Sequence, residues 1–225
     1  MGRRQSQRTS VDSKSKKEEV IMLTEVSTIN PTYIVGGSIA VYENAWDKEN
    51  ETINDILEVT EDVSLNIKFS PSQTNADPVD TNEQSIRTSH GLSISRNANI
   101  NKAMKLINNK CYNLVSSALH NYKSMFKIEQ EIKSIEPYAV LRYSGGEQYG
   151  FHYDGGTGSR RSISVLIYLN DDYEGGEIEF PNFKLKIKPK AGTLILFPSN
   201  YAYGHIAHPV TSGTKYVIVT WLHDR

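Results

Sequence analysis

The sequence predicts a mainly β protein with flanking helices, whose C-terminal part folds as an antiparallel sandwich or jelly roll. Three observations carry that prediction. From about residue 136 onward, short apolar runs (AVLRYS, SISVLIYL, TLILF, KYVIVTW) follow one another, separated by Gly and Asp/Asn turns. Seven or so strands with no intervening helix are the mark of such a fold. The best helical periodicity lies before that series, from about Asn99 to Phe126. Finally, 225 residues with 38% hydrophobic and 9% aromatic content suit a single domain of ordinary size plus a tail.

Taken in order, residues 1–20 read as a basic tail. Its first seventeen residues carry Arg3, Arg4, Arg8, Lys14, Lys16 and Lys17 against the single acid Asp12, with almost nothing apolar. Such a segment buries too little surface to offset its ordering entropy, so disorder is expected. A weak electrostatic tether to nucleic acid or to an acidic partner is the sharper reading. Residues 21–225 are expected to form one domain, with helical and strand support over 21–135 and the jelly-roll core over about 136–225.

Within the support, IMLTEV, TYIVGG and SIAVYENAW give short extended runs. Ile53, Ile56 and Leu57 fall at helical spacing between Trp46 and Val59, with Asp47 as a candidate cap. In VSLNIKF, Val63, Leu65, Ile67 and Phe69 alternate with polar residues, which predicts a half-buried strand. Residues 70–84, SPSQTNADPVDTNEQ, hold turn formers and no period, and a loop that long suggests a lid over a substrate groove. In the long helix, Ile100, Met104, Ile107, Cys111, Leu114, Val115 and Leu119 form one apolar stripe. Cys111 reads there as a small buried hydrophobe rather than a nucleophile.

Whole-chain chemistry excludes some functions. A net charge of −1 gives no global pull toward nucleic acid or an anionic membrane. A lone cysteine forms no internal disulfide, which fits a reducing compartment. No apolar run approaches the ~18 residues of a membrane span, and no signal-peptide core is visible. The expectation is a soluble, cytoplasmic protein that engages no membrane.

The chemistry concentrates in RYSGGEQYGFHYD, residues 142–154. On an extended strand His152 and Asp154 project to the same side. An imidazole nitrogen and a carboxylate oxygen are two thirds of the 2-His-1-carboxylate triad, which grips Fe(II) on one face and leaves the opposite positions open. The third ligand must come from the other histidines: His90, His120, His205, His208 and His223. His90 lies before the strand and His120 in the helix, whereas His205 and His208 sit in a stretch between two apolar runs. Further on, Lys215 shares a strand face with Val217, Val219 and Trp221. A lysine aimed into a barrel wall is costly unless an anion meets it.

These pieces, RTS at Arg87 to Ser89, RYSGGEQYGFHYD, RSISVLIYLND with EGGEIEFP, PKAGTLILFPS and HIAHPVTSGTK, resemble the Fe(II)- and 2-oxoglutarate-dependent dioxygenases of the prolyl 4-hydroxylase type. They stand in that family's order. The resemblance implies a double-stranded β-helix core in which His152, Asp154 and His205 hold the iron, His205 being preferred over its rival His208. It further implies that Lys215 binds the distal carboxylate of 2-oxoglutarate with help from Tyr143, and that Tyr149, Arg161 and Trp221 line the opening to substrate. The implied reaction uses O2 and 2-oxoglutarate, with ascorbate as reductant. It hydroxylates an unactivated C–H bond, foremost of a proline in a peptide or protein, and releases succinate and CO2.

Three alternatives remain from the residues themselves. The same scaffold serves hydroxylases of other side chains or small molecules. A catalytically silent jelly-roll module would bind a partner and retain the triad by descent. A nucleic-acid dealkylase is disfavoured, because only the tail is basic.

Overall fold

A computed structural model describes residues 28–47, 49–72, 87–156 and 158–225. The basic tail 1–20, the run IMLTEV and the part of the expected lid over 73–84 lie outside the described residues. Of the support, β1 (Tyr33–Val35), β2 (Ile39–Tyr42), α1 (Glu49–Glu61), β3 (Ser70–Pro71), β4 (His90–Ser93), α2 (Ile94–Asn97) and α3 (Lys102–Met125) come first. The C-terminal series then runs β5 (Ser134–Ile135), β6 (Ala139–Ser144), β7 (Tyr149–His152), β8 (Arg161–Tyr168), β9 (Glu174–Gly175) and β10 (Ile178–Phe180). It continues through β11 (Leu185–Ile187), β12 (Leu194–Pro198), β13 (His205–Ala207), β14 (Val210–Ser212) and β15 (Thr214–His223).

Every strand pairing among the described residues is antiparallel. The large sheet has the order β1-β2-β12-β8-β15-β6-β4-β3, with β5 on the end of β15. A smaller sheet has the order β11-β10-β13-β7, and β14 pairs with β9. This is the mainly β, jelly-roll architecture that the strand series predicts. The support belongs to the same sheet: β2 lies beside β12, with Tyr42 opposite Leu194.

The large sheet is buried on both faces, and β15 shows why the sequence allows it. Val217 and Val219 face the smaller sheet, in one apolar cluster with Ile178 and Phe180 of β10. Ile218 and Leu222 face the other way, onto Met104, Ile107, Cys111 and Val115 of α3. Burying each such aliphatic side chain contributes about 1.5–3 kcal/mol. Asn101 caps α3 by accepting from Met104 N at 3.1 Å. Cys111 is fully buried, and burial pushes its thiol well above its ordinary pKa, as expected of a packing residue.

Two local expectations are corrected. Ile100, expected on the stripe of the long helix, precedes α3 and is 60% exposed. VSLNIKF forms no strand. Asp62 Oδ1 accepts from both the amide (2.9 Å) and the hydroxyl (2.6 Å) of Ser64, and Asn66 turns at φ 50°. That local bonding makes a turn out of the end of α1 and leaves Val63 87% exposed. Leu65, Ile67 and Phe69 nonetheless reach the helix-side core, which is the burial their alternation reflects. Asp47, the candidate cap of α1, meets Lys110 Nζ at 2.6 Å.

Candidate active site

β7 ends at His152, so Asp154 lies in a bend beyond the strand rather than on it. Close backbone approach places it. Gly155 N donates to Ser199 O at 2.7 Å, and a Cβ on Gly155 would stand 3.0 Å from the carbonyl oxygens of both Arg161 and Ser199. Only glycine fits there without a shift. The Asp154 carboxylate then turns inward and accepts from Ser164 Oγ at 2.6 Å and from the Trp221 indole.

The distant histidine arrives by strand pairing. β13 runs against β7 with His205 opposite His152, and the ring centroids stand 4.2 Å apart. Each Nδ1 faces a carbonyl: His152 that of Gly150 at 2.8 Å, His205 that of Tyr203 at 3.1 Å. A carbonyl only accepts, so each Nδ1 carries a proton and each Nε2 is the ring nitrogen left to face Asp154. The Nε2 atoms lie 3.8 and 3.9 Å from the Asp154 oxygens. Ligand atoms of all three residues fall within 4.8 Å of one another. Burial, then the neighbouring His205, holds His152 below its ordinary pKa, which keeps it neutral. Burial opposes ionisation of Asp154, but His205, His152 and the bonds from Ser164 and Trp221 outweigh it and lower its pKa.

Lys215 enters the same cleft. It is 2% exposed, donates to Gly176 O at 3.0 Å, and sits 4.4 Å from the centre of the Tyr143 ring. The Gly175–Gly176 turn is more than loop chemistry. A Cβ on Gly175 would collide with Pro209 O at 2.2 Å, and both glycines have positive φ, so the turn that aims this carbonyl requires them. Burial, then the nearby Lys188, lowers the Lys215 pKa to about 7.

Tyr143, Tyr149 and Trp221 line the cleft with the triad. Tyr149 stacks on His152 with ring centroids 3.4 Å apart. Arg161 is not in the lining: Glu136 takes its Nε and Nη2 at 2.6 and 2.8 Å, and its guanidinium lies 3.6 Å from the centre of the Trp221 ring. It therefore backs Trp221 instead of facing the opening. The rival His208 points away, 2.5 Å from Glu179. Arg87, without a role in the sequence reading although its RTS motif stood out, lines the cleft 4.8 Å from the Tyr149 ring centre. Ser164 was missed altogether, since a serine in an apolar strand carries no signal of its own.

Residues 138–223 match the 2OG-Fe(II) oxygenase superfamily. A PKHD-type hydroxylase of Stenotrophomonas maltophilia is 33% identical over 122 residues, covering 49% of this chain and 53% of that protein. The prolyl 4-hydroxylase subunit alpha-1 of Gallus gallus is 34% identical over 114 residues, 42% of this chain and 22% of that one. The chain spans about half the length, or less, of these curated relatives. Among solved structures, a Trichoplax adhaerens prolyl hydroxylase bound to a hypoxia-inducible-factor peptide superposes with a TM-score of 0.64 at 22% identity, covering 84% of each chain. That likeness speaks for the fold. The superfamily implies Fe(II) and 2-oxoglutarate, and two imidazoles with one carboxylate are a donor set that suits Fe(II).

Proposed function

We propose that the protein, whose residues 138–223 match the 2OG-Fe(II) oxygenase superfamily, is an Fe(II)- and 2-oxoglutarate-dependent dioxygenase that hydroxylates proline in a peptide or protein. One observation carries the reading: the ligand atoms of His152, Asp154 and His205 converge in the same cleft that holds the buried amine of Lys215. The proline substrate is supported by the names of the relatives, prolyl 4-hydroxylases among them, and by the peptide bound to the Trichoplax protein.

In this reading His152, Asp154 and His205 hold Fe(II). Bound iron supplies, with O2 and 2-oxoglutarate, the oxidation of an unactivated C–H bond to C–OH while the cosubstrate leaves as succinate and CO2. The protein's own part is positional. The carbonyls of Gly150 and Tyr203 fix both imidazoles in the tautomer that ligates. Lys215 neutralises the distal carboxylate of 2-oxoglutarate beside Tyr143, and the apolar wall of Leu141, Val217 and Val219 keeps water away. Tyr149 and Trp221 face the peptide, and Arg161 steadies Trp221. Ascorbate serves as reductant. Residues 21–225 act as one domain, a reading supported by the pairing of β2 with β12. No helix among the described residues is long and apolar enough to cross a membrane, in keeping with a cytoplasmic setting.

The test is mass spectrometry of proline-rich peptides incubated with the protein, Fe(II), ascorbate, O2 and 2-oxoglutarate. A gain of one oxygen on proline, matched by succinate, is expected. Succinate without peptide oxidation would reassign the substrate to another side chain or a small molecule. No succinate at all, with iron bound, would favour the silent binding module.

A further inference from the structure

We infer that the buried hydroxyl pair Ser164 and Ser199 is a positioning device that makes Asp154 a one-oxygen metal ligand, an inference that rests on the Fe(II) reading above. Both serines are buried, at 0% and 1% exposure, Ser164 in β8 between the buried Ile163 and Val165 and Ser199 just beyond β12. Ser164 Oγ lies 2.6 Å from Asp154 Oδ2 and 2.8 Å from Ser199 Oγ. The ionised carboxylate only accepts, so the Ser164 proton points at Asp154 and Ser199 donates to Ser164. Hydroxyls bonded in series toward a charge strengthen one another in a low-dielectric interior.

Ser199 also holds the backbone. Its carbonyl accepts from Gly155 N at 2.7 Å, and its amide donates to Ser162 O at 3.0 Å. One residue at the exit of β12 thus anchors the chain just past Asp154 and, through Ser164, the carboxylate itself. That matters because Asp154 lies off the end of β7, where no strand ladder fixes it. Ser164 engages Oδ2, and Oδ1, 3.8 Å from His152 Nε2, is the oxygen assigned to the metal. A carboxylate gripping through both oxygens would take one of the positions that 2-oxoglutarate and O2 need opposite the triad.

The experiment is Co(II) titration of the full chain by calorimetry and visible absorption, with no cosubstrate present, for wild type, Ser164→Ala, Ser164→Thr and Ser199→Ala. Ser164→Ala is expected to weaken Co(II) binding by about 10-fold or more, the usual effect of removing such a partner, and to change the Co(II) ligand-field bands. Ser164→Thr, which keeps the hydroxyl, should retain wild-type affinity and bands. Equal affinity and equal bands for Ser164→Ala and wild type would overturn the inference. Should Ser164→Ala lose its cooperative melt, Ser199→Ala decides: a weaker Co(II) complex supports the series of hydroxyls, an unchanged one rejects it. Wild type that takes up no Co(II) would overturn the metal-site reading and this inference with it.

Discussion

The two ends of the cleft are built on opposite terms. At the histidine end each side chain's spare valence is already engaged: two ring N–H groups on carbonyls, and a carboxylate on a serine and an indole. At the lysine end a nearly fully buried amine has one hydrogen bond among the described residues, to Gly176 O, and a pKa lowered by burial. The first end is prepared before anything binds. The second is strained until an anion arrives, and a dicarboxylate relieves it. Affinity for cosubstrate should therefore follow small changes of pH around neutrality.

The strongest way to break this contrast is at the prepared end. His152→Ala or His205→Ala should reduce 2-oxoglutarate turnover to background in a succinate assay while thermal unfolding stays cooperative. Turnover that persists in both would remove the histidines from the metal site. At the other end, Lys215→Ala should raise the KM for 2-oxoglutarate by about 100-fold, given the ~3 kcal/mol typical of losing one partner of a buried charge pair. Here kcat at saturation should fall far less, and an unchanged KM would take the lysine out of its role.

pH sharpens the comparison. The free amine is ionised below about 7 and neutral above it, so above pH 7 cosubstrate binding must first take up a proton. KM for 2-oxoglutarate is expected to rise about tenfold per pH unit there, and Lys215→Arg should flatten the rise because arginine keeps its charge. A KM that stays level from pH 6.5 to 9 in the wild type would show that the amine is charged throughout. The smallest effect belongs to the outer brace. Glu136→Gln loosens Arg161 over Trp221, and since that pair is partly exposed (22% and 24%) only a few-fold rise in peptide KM is expected. Peptide-free succinate formation should barely change.

Much of this site was legible in the chain. His152, Asp154, His205 and Lys215 announce themselves because each is a polar residue within or beside an apolar run, and their order and spacing resemble one family. What escaped was whatever depends on contacts between strands. Nothing local distinguishes Ser164 from a serine facing solvent, yet β12 and β15 flank it and set Asp154 against it. Arg161 read as a residue of the opening because its reach toward Glu136, twenty-five positions away, is invisible in one dimension. Alternation suggested a strand at 63–69, but Asp62 and Asn66 resolved it into a turn through bonds that hydrophobic period ignores.

The amino-acid sequence by itself determined the antiparallel strand series, the apolar stripe of α3 and the identity of the metal-type donors, since these follow from side-chain period and from chemistry carried by single residues. Only the tertiary structure decided how Asp154 is held off the end of β7 and that Lys215 is dry. Those outcomes depend on pairing register and close backbone packing between segments far apart in the chain, and no local preference encodes them.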